Sequence, residues 1–453
     1  MKKIFGSLLF IWATNFVLAQ GFVQNKEQFL FQPSTTSEPL IKEQNSKLDS
    51  SITRENTSLF KASKENKKET PLLLNTIETD TTKQIIARYG SKGFELQTKD
   101  NKYLLQIQSR LQFRVSTPFD QDPVTYDDVD SRNQQALKIN RARLKVGGHA
   151  FQPWLKYYWE YELGQSNLLD FRLMIEKWKW LSLKVGQWKV EYSQERVISS
   201  GQQQMVERSI INRPLTIDRQ QGVEIYGHLD GKGIANFNYA FAALTGTGRG
   251  NRENDDKNLM YFGRLQWNFL GEPLDFVGGD LEFHEKPSAK IAFAAVTNRS
   301  PYTRFSQSGG GNLVGFDLDN PGQYRTNQYN LESALMYKGF SWQSEWHHKQ
   351  IIDKLNNNAE TKLTGYYFQA GYFFHGIFDW FPKDLEFATR YSQFKPNVNF
   401  SYNKETETTF VFNWFFSGHK NKLSAELSYF DFYQATLPYN TGWRFRLQWD
   451  ISI

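Results

Sequence analysis

From Tyr103 to Val115 the chain reads YLLQIQSRLQFRV, and apolar and polar side chains change places at almost every step. Tyr103, Leu105, Ile107, Leu111, Phe113 and Val115 share one parity; Gln106, Gln108, Arg110, Gln112 and Arg114 share the other. Successive side chains of an extended strand point to opposite faces, so this period predicts a strand with one apolar and one polar side. The run is long enough to cross a bilayer as a tilted strand. The same texture recurs over 141–151, 154–163, 168–178, 181–189, 220–229, 233–243, 258–269 and 289–297. It returns over 327–337, 340–349, 363–374, 384–394, 407–416, 422–430 and 442–453, sixteen predicted strands in all.

The connections alternate in length. Gln152-Pro153, Lys179-Trp180, Asp230 to Gly233 and Lys338-Gly339 are tight, whereas 118–138, 190–219, 244–257, 298–326, 350–362 and 431–441 are long and polar. Short turns on one side and long loops on the other are the pattern of an outer-membrane barrel. The stretch 274–283 has some strand character, but an odd strand would put the two termini on opposite sides, so 270–288 is read as a long periplasmic excursion. In the last strand Trp443, Phe445, Leu447, Trp449, Ile451 and Ile453 alternate with Arg444, Arg446, Gln448, Asp450 and Ser452. Paired with the first strand, it would leave no open sheet edge. The expected fold is therefore all-β, a transmembrane antiparallel β-barrel of about 16 strands over residues 93–453.

Composition fits this reading. The 37 Phe, 22 Tyr and 13 Trp are abundant for a chain of polar overall hydropathy, which suits an apolar face spread thinly over many strands and ringed by aromatics. There is no cysteine, so neither disulfides nor thiolate metal sites contribute. The formal charge of +6 shrinks to +2 on 93–453, because Lys2, Lys3 and the segment 20–92 carry the rest. Net charge therefore gives no argument for a nucleic-acid partner. Residues 1–19 combine a basic start with an apolar run ending in Val17-Leu18-Ala19, which predicts a cleaved signal peptide and export. Residues 20–92 are rich in Ser, Thr, Asn, Lys and Glu and are read as a disordered periplasmic segment, with a short helix or coiled coil as the alternative.

With apolar side chains in lipid, the polar parity must face the lumen. Arg110 and Arg114, then Arg141, Arg143 and Lys145, and finally Arg444 and Arg446 fall on three strands that closure makes adjacent. A stripe of seven cations on one wall attracts anions, and guanidinium groups suit oxyanions of phosphate type. Glu160, Glu162, Glu176, Glu224, Glu332 and Glu345 also point inward by parity, so a charge-balanced wall stays open as the alternative. The segment 190–219, with Glu195, Arg196, Glu207, Arg208, Arg213, Asp218 and Arg219, is either an infolded constriction or an ordinary surface loop. His347-His348 is the one conspicuous histidine pair, but parity sends one to the lumen and one to lipid, which disfavours a catalytic site. No cofactor or metal spacing is present.

Several of these stretches resemble a known family. Gly186-Gln187-Trp188-Lys189, Ser193-Gln194-Glu195, Ser199-Ser200 and Glu207-Arg208 look like the constriction-loop region of the phosphate-selective porin O and P family. Gly93 to Leu96, Arg141 to Leu144, Arg219 to Gly227 and Arg390-Tyr391-Ser392 fit in the same order. The resemblance implies a sixteen-stranded homotrimeric porin passing small anions, phosphate or polyphosphate, with arginines down the wall and an infolded third loop. Glu195, Ser199, Ser200, Glu207 and Arg208 would belong to that loop. Two positions depart from the family: Glu191 stands where many members have Pro, and Gly201 where strongly phosphate-selective members carry Lys. A weakly selective porin, and a loop-plugged barrel acting as adhesin or scaffold, remain the alternatives.

Overall fold

The computed structural model describes residues 84–90, 92–125, 127–128, 135–231, 233–250, 253–306, 310–316, 320–400, 403–434 and 440–453. The expected signal peptide and its cleavage point lie outside them, as does the segment 20–83.

A hairpin comes first, β1 (Ile85–Gly90) and β2 (Gly93–Thr98). Sixteen strands follow: β3 (Leu104–Thr117), β4 (Ala136–His149), β5 (Leu155–Glu162), β6 (Asn167–Trp178), β7 (Leu181–Lys189) and β8 (Arg219–Asp230). Next are β9 (Asn236–Leu244), β10 (Met260–Leu270), β11 (Ser288–Ser300), β12 (Tyr324–Tyr337) and β13 (Phe340–Asp353). The last five are β14 (Ala359–Tyr372), β15 (Leu385–Lys395), β16 (Lys404–Phe415), β17 (Asn421–Tyr433) and β18 (Asn440–Ser452). Each strand from β3 to β18 pairs antiparallel with its neighbour in sequence, and β18 returns to β3 with Phe445 opposite Thr117 and Ser452 opposite Arg110. The sheet is a closed sixteen-stranded barrel with both ends of the barrel chain on the tight-turn side.

Closure leaves part of β3 uncovered, since β18 ends opposite Ser109. There β2 takes over, pairing Phe94 with Ile107 and Gln97 with Leu104. The hairpin thus covers an edge that would otherwise present open N–H and C=O groups. The strand β1 falls inside the segment read from sequence as disordered. Its Ile85, Ile86 and Tyr89 sit in a polar neighbourhood that hides them from a composition reading. Pairing with β2 stabilises them, with Tyr89 edge-on to Phe94 at 5.3 Å and Arg88 bonded to Glu95 at 2.7 Å.

Parity decides which face each residue meets. On β3, Ile107, Leu111, Phe113 and Val115 are exposed on the outside, while Arg110, Gln112, Arg114 and Ser116 are buried inside. Exposed apolar side chains all round the outer wall would be an aggregation hazard in water and are at home in lipid. The rule shifts at bulges, and one lies beside the arginines: Gln112 faces Arg141 but Phe113 faces Ile139, so Asn140 is an extra residue. Asn140 and Arg141 both turn inward, and Leu137, Ile139, Ala142 and Leu144 all remain outside. The connection expected over 350–362 is shorter than predicted, because β13 and β14 run on to leave only 354–358. No strand forms over 274–283, in agreement with the excursion reading.

Candidate functional site

The loop 190–218, the third connection on the long-loop side, folds into the barrel rather than lying over it. Two short helices shape it, α1 (Gln194–Val197) and α2 (Asn212–Leu215). Ser193 caps α1 by accepting from the Arg196 backbone N–H at 3.2 Å. Its base is seated by Val190, Tyr192 and Ile217 against Ala240, Ala242, Phe262, Ala294 and Val296, inward positions of β9, β10 and β11. Its far end is seated by Ile210, Ile211 and Leu215 against Ile351, Leu363, Tyr367 and Phe394 on β13, β14 and β15. Small or apolar residues at lumen-facing positions make sense only beneath such a cover, since burying them there removes apolar surface from water.

Wall carboxylates hold the loop backbone between these seats. Glu332 accepts from Gln194 N–H at 3.1 Å, Glu345 from Glu195 N–H at 2.6 Å, Glu426 from Val206 N–H at 2.7 Å and Glu407 from Ile210 N–H at 3.1 Å. An irregular backbone taken into a low-water interior needs such acceptors. Glu332 and Glu345, which the alternative of a charge-balanced wall would set against the arginines, are thus engaged by the loop. The turn 271–287 also reaches inward from the opposite end, and Gly278 N–H donates to Gln202 O at 2.8 Å. A side chain at Gly278 would bring its Cβ to 2.6 Å from the Gln204 nitrogen, so glycine permits the close approach.

The seven predicted wall cations divide into two groups. Arg110, Arg114, Arg444 and Arg446 are buried and serve as docking points for loops. Arg444 donates to Asp122 at 2.6 Å and Arg446 approaches Asp122 at 3.4 Å. Arg114 meets Glu207 at 2.6 Å and Asp120 at 3.3 Å. Burial alone would raise the Asp120 carboxyl, but its bonds from Lys138 and Ser116 and the charges of Arg114 and Arg446 hold it well below the usual range. Arg110 has no carboxylate bonded to it among the described residues and donates to Ser199 Oγ at 3.0 Å and Ser200 Oγ at 2.5 Å. The continuous stripe expected from sequence is therefore interrupted, because loop carboxylates distant in sequence dock on its β18–β3 half.

Arg141, Arg143 and Lys145 on β4 keep partial exposure to the lumen. Arg141 is bonded to Glu207 at 2.9 Å, and Arg143 to Glu160 at 2.6 Å and Glu162 at 2.7 Å. Burial would raise the Glu207 carboxyl, but the guanidiniums of Arg141 and Arg114 outweigh it and keep it well below the usual range. Lys145 has no hydrogen-bond partner among the described residues; its electrostatic neighbours are Glu160, Arg110, Arg143 and Asp170. Among the described residues Lys189 reaches only the Val197 and Ile198 carbonyls at 3.4 Å, with Arg208, Arg219, Glu160 and Arg196 as charged neighbours. Arg208 donates to the carbonyls of Glu195, Arg196 and Ile198 at 3.0, 3.2 and 2.8 Å, and to no carboxylate among the described residues. Burial, then Arg196 and Arg141, pull its proton affinity well down from the usual guanidinium value.

Together Arg141, Arg143, Lys145, Arg172, Lys189, Arg196, Arg208 and Arg219 face Glu160, Glu162, Asp170, Glu207 and Asp218. With Glu191 beside Arg172, Glu195 beside Arg208 and Arg249 beside Asp218, nine positive charges meet seven negative ones among these described residues. A cavity of about 720 Å³ lies at the long-loop end and is lined by Arg141, Arg196, Glu207, Arg208 and Arg213 among others. A second, of about 540 Å³, lies at the tight-turn end beside Lys184, Glu191, Glu224, Arg264 and Phe276. Sequence reading missed Arg172 and Lys189. Parity on β6 places Arg172 inward, so it was legible; Lys189 follows Gly186, whose φ of +126° disturbs the alternation.

The closed barrel has known counterparts. Residues 110–434, well over half of the chain, match one family. The chain belongs to the phosphate-selective porin O and P family. This porin is also similar in fold to a loop L8 deletion mutant of OmpT, an outer membrane protein of Vibrio cholerae. The identity is 10%, with 78% of this chain and 100% of that one covered at a TM-score of 0.50. Salmonella typhi OmpF in complex with daunomycin is 12% identical, with coverages of 79% and 100% and a TM-score of 0.48. No curated protein matches the chain. The porin's departure at Gly201 has a local reason: a Cβ there would stand 2.8 Å from Arg110 Nη1, so the guanidinium of β3 occupies the space a side chain would need. Glu191, the other departure, bonds Lys184 at 2.7 Å. Of the histidine pair, His347 is buried inside against Glu345 at 2.8 Å, while His348 stacks on Trp346 outside.

Proposed function

We propose that this outer-membrane porin passes small anions by passive diffusion, with phosphate-sized oxyanions among them, and that it works as a homotrimer. The observation that carries the anion reading is the excess of cations between β4–β8 and the third loop, with Lys145, Lys189 and Arg208 lacking bonded carboxylates among the described residues. A cation partly withdrawn from water is stabilised when an anion comes beside it, and neighbouring cations give the anion successive stations. Arg208, Arg196 and Arg141 supply planar donor groups that suit an oxyanion, and Lys145 and Lys189 supply point charges. No covalent step and no cofactor enters this mechanism.

The pathway residues of the proposal are Arg141, Arg143, Lys145, Arg172, Lys189, Arg196 and Arg208, with Arg110, Arg114, Arg444 and Arg446 holding the loops that frame them. Single-channel recording of the purified protein in planar bilayers tests it: phosphate added to a chloride solution should reduce chloride current by occupying the same stations. Chloride current indifferent to phosphate would remove the oxyanion preference. The contact of the third loop with the 271–287 turn favours a second reading, a plugged barrel acting as adhesin or scaffold. Absence of any unitary conductance would decide for it.

A further inference from the structure

The outer wall carries charge where lipid chains would not accept it. On the outside of β12, β13 and β14, Tyr329, Trp346 and Tyr366 form an aromatic step of the kind that marks a membrane interface. Beyond it toward the long loops, the outward positions turn polar in register: Thr297, Asn327, Gln350 and Lys362 lie across from one another on four adjacent strands. One row further, Arg299 of β11 stands directly opposite Arg325 of β12. Like charges directly opposite on one face of a sheet destabilise the pair. Neither guanidinium has a carboxylate partner among the described residues. Arg299 donates to Gly322 O at 2.8 Å and Arg325 to Thr297 Oγ1 at 3.3 Å, and both side chains keep partial exposure.

We propose that Arg299 and Arg325 clasp a phosphate of a phosphorylated lipid in the outer leaflet. The pair sits just beyond the aromatic step, at the level where headgroups replace hydrocarbon. A phosphate monoester between two guanidiniums accepts several charge-assisted hydrogen bonds and removes their mutual repulsion. Two strands away, Lys362 is paired with Glu360 at 3.3 Å, so that part of the rim adds no net charge and the arginine pair alone makes the basic site. The lipid chains would then run down over Tyr329, Leu331 and Trp346, all exposed on the outer wall. The site lies on the opposite face of the wall from the lumen, so it is separate from the anion pathway.

Native mass spectrometry of the full chain in detergent, titrated with bisphosphorylated lipid A, tests the proposal. Lipid A stripped of its phosphates and inorganic phosphate alone are the comparison probes. The expected result is adduct formation with the phosphorylated lipid only. It should weaken about tenfold or more in Arg299→Gln/Arg325→Gln, with bilayer conductance unchanged. Equal binding of the stripped lipid, or equal affinity of the double variant, would overturn it. So would displacement by equimolar inorganic phosphate, or a double variant whose only change is loss of the oligomer, which would make the patch a subunit contact.

Discussion

Glu207→Gln removes the one carboxylate that the third loop places between Arg114, at 2.6 Å, and Arg141, at 2.9 Å. Because those guanidiniums keep Glu207 ionised well below the usual carboxylate range, the change takes a full negative charge from the constriction at neutral pH. A unit charge roughly 8 Å from a passing ion in a water-like medium is worth about 0.5 kcal/mol. Screening at 0.1 M salt cuts this to roughly half. The change helps anions and hinders cations alike, so the anion-to-cation permeability ratio should rise about two- to fivefold, since 1.4 kcal/mol is a factor of ten. Breaking a buried pair also costs about 3–5 kcal/mol, so the loop should loosen, and only channels of wild-type unitary conductance are to be compared. Reversal potentials under a salt gradient give the ratio. A ratio unchanged or lowered in such channels would refute a passage that runs past Glu207 and its partner Arg141.

Lys145→Gln and Lys189→Gln should each lower the same ratio by about the same factor, whereas Arg444→Gln, which loses its Asp122 contact and its packing on Phe119 and Phe430, should leave it within error; the reverse ranking would return the pathway to the β18–β3 half of the wall. Ile211→Ala and Leu215→Ala each open a cavity under the far seat of the third loop, at a cost of about 2–5 kcal/mol, and should appear as added current noise and faster protease cleavage within 190–218. Asp120, whose folded pKa is depressed, contributes stability that is fully present above its unfolded value of about 3.9 and lost as pH falls toward the folded one. The difference in melting temperature between the wild type and Asp120→Asn should therefore stay constant from neutral pH down to about 4 and shrink only below it; a difference that fades near pH 6 would contradict the Arg114 and Lys138 contacts.

The barrel itself was legible because lipid and water impose a strict alternation: Leu111, Phe113 and Val115 against Arg110, Gln112 and Arg114 fixed both faces of β3, and 443–453 did the same for the closing strand. Parity says which wall a side chain joins, but not what docks on it. Arg444 and Arg446 look free in the sequence because their partner Asp122 lies at the other end of the chain. The infolding of the third loop had a signal that went unused: Ala240, Ala242, Phe262, Ala294 and Val296 take lumen-facing positions where a water-filled interior would favour polar residues. The bulge at Asn140 and the strand Ile85–Gly90 were beyond reading, since one extra residue leaves no compositional mark and six residues drown in a polar window.

The most direct measurement is the zero-current potential of the wild-type porin in a planar bilayer with a tenfold potassium chloride gradient at neutral pH. Lys145, Lys189 and Arg208 facing the passage predict the sign set by chloride flowing faster than potassium. A potential of the opposite sign would mean that the carboxylates of the wall, not its cations, govern what passes.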